Sequence, residues 1–164
     1  MRISHVLRRL RRLPVLLALA ATAVVLVPQP ASADERTLFG VRGGYYTQEA
    51  QPFVGVELLA PIGHHLDANP NVEYIFGGGR TYMTFNMDFH YDFYNCCSGT
   101  FVWVGAGLGV LYRNPEGPGP SNTDVGANFL AGVGLNRGPV IPYFQVKLIA
   151  HGDTEAALTF GLRF

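Results

Sequence analysis

The chain has 164 residues, 48% apolar and 15% charged, with 20 glycines, two cysteines and a formal net charge of zero. That length suits one domain, and so apolar a composition excludes a disordered chain. Neutrality, with no basic cluster beyond the first dozen residues, argues against nucleic-acid binding, and two cysteines are too few for a disulfide scaffold.

The N-terminus reads as an address. Arg2, Arg8, Arg9, Arg11 and Arg12 precede an apolar run over 13–27, then Pro28-Gln29-Pro30 and Ala31-Ser32-Ala33. A charged head, an apolar middle and an A-x-A end predict a secretory signal peptide over 1–33, cut after Ala33. The apolar run falls short of the about 20 residues of a spanning helix. Residues 34–164 then form the remaining domain. They hold all twelve acids but only seven bases, Arg36, Arg42, Arg80, Arg113, Arg137, Lys147 and Arg163, for a net charge of −5.

From there the apolar period is two, the period of strands. A first strand is expected over about 37–47, with Phe39, Val41, Gly43 and Tyr45 opposite Gly40, Arg42 and Gly44. A second, about 52–60, sets Val54, Val56 and Leu58 against Gly55 and Glu57. The third, 71–76, is the weakest: Val72, Tyr74 and Phe76 oppose Asn71, Glu73 and Ile75, and Pro70 is expected to interrupt the ladder. The fourth, 81–93, sets Met83, Phe85, Met87, Phe89, Tyr91 and Phe93 against Thr84, Asn86, Asp88, His90 and Asp92. The fifth, 102–113, alternates Val102, Val104, Ala106, Leu108, Val110 and Tyr112 with Trp103, Gly105, Gly107, Gly109, Leu111 and Arg113. The sixth, 125–135, pairs Val125, Ala127, Phe129, Ala131, Val133 and Leu135 with Gly126, Asn128, Leu130, Gly132 and Gly134. The seventh opposes Phe144, Val146 and Leu148 to Tyr143, Gln145 and Lys147, and the eighth opposes Leu158, Phe160, Leu162 and Phe164 to Thr159, Gly161 and Arg163. Turn residues separate every pair.

An even number of evenly spaced strands predicts an all-β fold, an eight-stranded antiparallel up-and-down barrel without an open edge. Facing then decides the solvent. A soluble barrel keeps large apolar side chains inside, whereas a membrane barrel turns them to lipid and fills its interior with polar groups. Here the second faces are rich in glycine and poor in charge. Glycine would weaken a soluble outer face, whereas inside a narrow cylinder it makes room for longer neighbours. The expected barrel is therefore transmembrane. Aromatic residues near strand ends, Tyr45, Tyr82, Tyr91, Tyr94, Trp103, Tyr112 and Phe164, suit interfacial girdles where they face outward.

The alternating ending Leu158-x-Phe160-x-Leu162-x-Phe164, beside a signal peptide and seven upstream strands, resembles the small bacterial outer-membrane barrels of the OmpA/OmpX-like family. The resemblance covers about 37–164 in pattern rather than identity. It implies an outer-membrane location, contact with outer-membrane lipid, and Leu158, Phe160, Leu162 and Phe164 as the signal read by the barrel-assembly machinery. Of the connections expected to be external, only 114–123 is long, which weakens adhesion or receptor roles.

The inward register collects Arg42, Glu57, Glu73, Asn86, Asp88, His90, Asn128, Gln145, Lys147 and Arg163 and also holds the charges Asp92 and Arg113, with His151 nearby in pattern. Buried charges must pair, so these predict a polar network filling the lumen; a narrow ion path in which Arg42 and Lys147 exchange partners is the functional alternative. Asp88-x-His90-x-Asp92 puts a carboxylate beside an imidazole, a general-base arrangement, but no serine or cysteine nucleophile accompanies it. His64-His65 sits in a turn without further metal ligands, and no metal or cofactor is expected. Adjacent Cys96 and Cys97 read as turn thiols without a catalytic role; the alternatives are a vicinal disulfide, which would be strained, and intermolecular pairing. The function expected is an integral outer-membrane barrel with a structural or interaction role, no wide pore and no enzymatic activity. The alternatives are a soluble periplasmic lipocalin-like barrel binding an apolar ligand and a lipid-modifying outer-membrane enzyme.

Overall fold

The computed structural model describes residues 36–77, 80–94, 99–115, 121–151 and 153–164. The expected signal peptide over 1–33 and the Cys96-Cys97 pair lie outside these residues. Eight strands form: β1 (Leu38–Tyr46), β2 (Gln51–Gly63), β3 (Leu66–Ile75), β4 (Arg80–Tyr94), β5 (Thr100–Pro115), β6 (Asn122–Leu135), β7 (Ile141–His151) and β8 (Asp153–Arg163). Each pairs antiparallel with the next, and β8 returns to β1, closing the barrel. The chain end is stitched into that closure: Phe164 donates its N–H to Phe39 O at 2.8 Å, and Phe39 N–H returns to Phe164 O at 3.3 Å.

The strands run longer than the apolar alternation alone suggests, because pairing continues past the last large outward residue. β2 reaches Gly63, β7 spans Ile141–His151, and β8 begins at Asp153. Connections shrink accordingly. The one expected to be long, 114–123, starts only after Pro115 and ends before Asn122.

Pro70 interrupts the ladder on one side only: β2–β3 pairing lapses between Glu57↔Asn71 and Ala60↔Ala68, while pairing with β4 continues. It does not end the third strand, which begins at Leu66, and it pairs with Met87 of β4. Phe76 sends its N–H to Pro52 O of β2 at 2.9 Å. Even-numbered residues of β3 therefore aim their backbone groups at β2. Pro70, lacking an N–H, leaves Leu58 O without that ladder donor. The Asn69 side-chain amide supplies it instead, at 3.0 Å.

Facing follows the pleat without exception among the described residues. Phe39, Val54, Phe85, Phe89, Val104, Leu108, Val125, Phe129, Phe144 and Phe160 are exposed on the outer surface. Every described charged side chain of the strands, by contrast, lies on the inward register. The outward residues of β5 from Val102 to Tyr112 span about 26 Å at the usual rise and tilt, close to the about 25 Å of a membrane barrel's apolar band. Two of the aromatics considered for girdles, Tyr82 and Trp103, are instead buried inside, because their register is that of the lumen; Tyr45, Tyr91 and Phe164 are exposed.

The interior has three layers. At the end where β1 begins and β8 finishes, Phe101, Trp103, Leu130, Ile141 and Tyr143 form an apolar plug. At the far end, Tyr46, Phe53, Ile75, Tyr82, Leu111, Ile149 and Ala157 form a second. Arg42, Glu57, Glu73, Asp88 and Lys147 lie between them. Glycines set the clearances. A Cβ on Gly132 would collide with the Trp103 ring, and one on Gly105 would meet the Phe89 carbonyl and stand 2.7 Å from Leu130 Cδ1. Gly105→Arg is therefore expected to abolish folding by overfilling, read as loss of the heat-modifiable compact band on a detergent gel.

Candidate functional site

The site is the lumen belt. Arg42 of β1, Lys147 of β7 and Arg163 of β8 meet Glu57 of β2, Glu73 of β3 and Asp88 of β4, and all six are buried. They form one alternating line of charge. Arg163 Nε lies 2.8 Å from Glu57 Oε1, and Arg42 NH1 lies 3.3 Å from Glu57 Oε2. Arg42 NH2 continues to Glu73 Oε1 at 3.0 Å. Lys147 Nζ bridges Glu73 at 3.7 Å and Asp88 Oδ2 at 2.9 Å. No two like charges are consecutive in this line, which is what a desolvated interior requires.

Neutral side chains donate to several of the carboxylate oxygens. Asn69 donates to Glu57 at 3.1 Å, Asn71 to Asp88 Oδ2 at 3.0 Å and Asn128 to Asp88 Oδ1 at 2.8 Å. Asn128 also donates to Asn86 Oδ1, and Asn86 in turn donates to Asn71 Oδ1 and Thr84 Oγ1, each at 3.0 Å. Thr84 and the Tyr46 hydroxyl both donate to Glu73 Oε2. β5 contributes glycine here: a Cβ on Gly107 would strike Asp88, and one on Gly109 would stand 2.6 Å from Asn86 Oδ1. Trp103 Nε1 donates to Gln145 Oε1 at 3.3 Å.

All ten residues singled out from the sequence are buried inside the barrel, but they do not act alike. The six charges and Asn86 and Asn128 share one network. Gln145 joins the indole of Trp103. His90 stacks on that indole at 5.7 Å and 14°, and neither of its ring nitrogens has a hydrogen-bond partner among the described residues. The general-base arrangement suggested by Asp88-x-His90-x-Asp92 is therefore not formed; Asp88 is held by Lys147, Asn71 and Asn128. Arg113 is on the inward register but at the far rim, half-exposed, where it meets Glu49 at 2.9 Å, Asp124 at 3.5 Å and the Tyr82 hydroxyl at 3.0 Å. Asn69, Asn71, Thr84 and Thr159 complete the belt. The pleat assigns Asn71, Thr84 and Thr159 to it; Asn69 was hidden by the expected break at Pro70.

Among the described residues, apolar clusters occupy the lumen toward both ends. A cavity beside Thr84, Asn86, Gly109 and Glu155 holds about 10 Å³, the size of one water at most. His64 and His65 rings lie 4.2 Å apart in the β2–β3 turn, and among the described residues no group of three or more His, Cys, Asp or Glu could hold a metal.

Neither a family model nor a curated protein sequence matches the chain. Solved structures do. The N-terminal β-barrel domain of Pseudomonas aeruginosa OprF superposes with a TM-score of 0.64 at 15% identity, covering 78% of this chain and 96% of that one. Neisserial surface protein A gives 0.60 at 11%, covering 77% and 95%. The outer membrane enzyme PagL gives 0.52 at 13%, covering 77% and 98%. The chain thus has the fold of the small eight-stranded outer-membrane barrels, a fold that also carries an enzyme.

Lys147 is the cation paired with Asp88, so its removal leaves that buried carboxylate uncompensated, at a cost of about 3–5 kcal/mol. Lys147→Met is expected to lower stability by about that much in urea titration, and adding Asp88→Asn to recover part of the loss.

Proposed function

We propose that the protein is an integral outer-membrane β-barrel with a structural or interaction role and no wide pore, and that it is not an enzyme. One observation carries this: the outer surface presents an unbroken apolar band while every described strand charge is on the inward register. Lipid is the solvent in which that arrangement is stable. The fold shared with OprF and Neisserial surface protein A supports the same solvent.

The filled interior weighs against a lipocalin-like binder, which needs an apolar cavity. Against a lipid-modifying enzyme stands the placement of His90, buried behind the barrel wall and stacked on Trp103. In this proposal residues 1–33 direct export and are removed, and both ends of the barrel domain face the periplasm. Leu158, Phe160 and Phe164, exposed on the outer face of the last strand, together with Leu162, serve as the assembly signal.

Facing is testable directly. Phe85→Trp in a Trp103→Phe background is expected to be quenched by brominated phospholipid, and unquenched fluorescence in folded protein would reverse the assignment. Leu108→Arg places a cation in mid-band and is expected to cost about 2–4 kcal/mol in bilayers; a normal unfolding midpoint would argue for a soluble barrel. Deletion of Phe164 is expected to lower the amount of assembled barrel in membranes, measured by immunoblot of heat-modifiable protein against total protein.

A further inference from the structure

The weakest joint in a closed barrel made from one chain is the pairing of its first and last strands, which must find each other across the whole sequence. Here β1 has nine residues, and its register with β8 runs only from Gly40↔Arg163 to Tyr46↔Ala157, against the fifteen pairs of β4 with β5. Arg163 closes β8, and its side chain points into the lumen, 1% exposed.

Its contacts cross the barrel. Nε donates to Glu57 Oε1 of β2 at 2.8 Å. The guanidinium carbon lies 4.3 Å from the ring centre of Tyr143 of β7 and 5.0 Å from that of Trp103 of β5. Of these three strands only β7 is a hydrogen-bonded neighbour of β8. Contacts with β2 and β5 exist only when the sheet is rolled and the β1–β8 seam is shut. The local glycines serve the same geometry. Gly40 stands between Glu57 on one side and Arg163 on the other, and a Cβ there would lie 2.7 Å from Glu57 Cγ and Oε1. Gly161 lies beneath the Tyr143 ring, which a Cβ would strike.

We propose that Arg163 is a closure lock, a cation that ties the last strand across the lumen to Glu57, Trp103 and Tyr143 and holds the completed seam shut. Glu57 keeps Arg42 and Asn69 when Arg163 is removed, so the variant does not strand an unpaired acid. The lock forms after all eight strands are in place, so it acts on opening rather than on assembly.

The test follows Trp103, the chain's single tryptophan, in barrel purified from membranes and cycled through urea in short-chain phosphatidylcholine vesicles. Arg163→Met is expected to speed unfolding by about tenfold or more while the folding rate changes by less than about twofold, and to shift the Trp103 emission of the folded state. Arg163→Lys keeps the charge but loses the planar stack and is expected to fall between wild type and Arg163→Met; it carries the test if Arg163→Met does not fold. Gly40→Ala, which displaces Glu57 and leaves Arg163 in place, is expected to speed unfolding in the wild-type background more than in Arg163→Met. Unchanged unfolding rates in both Arg163 variants, a loss confined to the folding rate, or a Gly40→Ala effect that is additive with Arg163→Met would each overturn the proposal.

Discussion

The structure rests on one steric constraint: eight strands enclose a cylinder that side chains alone can fill. Every inward position must therefore be matched in volume with the positions across from it. β5 meets the constraint with Gly105, Gly107 and Gly109, against which Leu130, Asp88 and Asn86 pack. Gly132 does the same for Trp103 and Gly161 for Tyr143. Glycine costs strand stability where it stands, and the cost is offset by the long side chains it admits on neighbouring strands.

Once the interior is that tight, electrostatics becomes a question of order. Charges withdrawn from water are tolerable only when each is neighboured by the opposite sign and its lone pairs and protons are used. The line from Arg163 through Glu57, Arg42, Glu73 and Lys147 to Asp88 meets the first condition, and Asn69, Asn71, Asn86, Asn128 and Thr84 meet much of the second. An apolar filling could be as stable. The ionic one specifies partners: six strands each supply one charge, and a one-residue slip of any strand would turn its charge to the outer surface. The two apolar plugs keep water from competing for these pairs.

Much of this was legible in the residues, because the pleat has a period of two and the outer face is apolar at nearly every turn. Phe85, Met87 and Phe89 on one face and Asn86, Asp88 and His90 on the other leave no doubt about the fourth strand. Three features were not legible, each for a physical reason. Pro70 reads as a break, since the sequence does not reveal that its missing N–H faces β2 or that Asn69 can replace it. The plugs were hidden because Tyr46, Ile75, Tyr82 and Leu111 are apolar residues on the polar register, distinguished only by height along the barrel. Pairing within the belt was hidden as well: alternation says that Arg42 and Lys147 point inward, but not that Glu73 lies between them.

The same reasoning explains how so distant a sequence arrives at a known architecture. At 15% identity or less to OprF and Neisserial surface protein A, little is shared except period, strand number and the inversion of polarity. Those are the terms lipid and closure impose. The lumen is under a looser rule, that its volume be filled and its charges balanced, and many residue sets satisfy it. Fold likeness at this distance therefore speaks to topology alone, whereas any particular activity is a property of specific groups. In this chain the belt's six charges are engaged with one another, and the His90 ring is held against Trp103. These side chains fill the cylinder and tie six of its strands to one another.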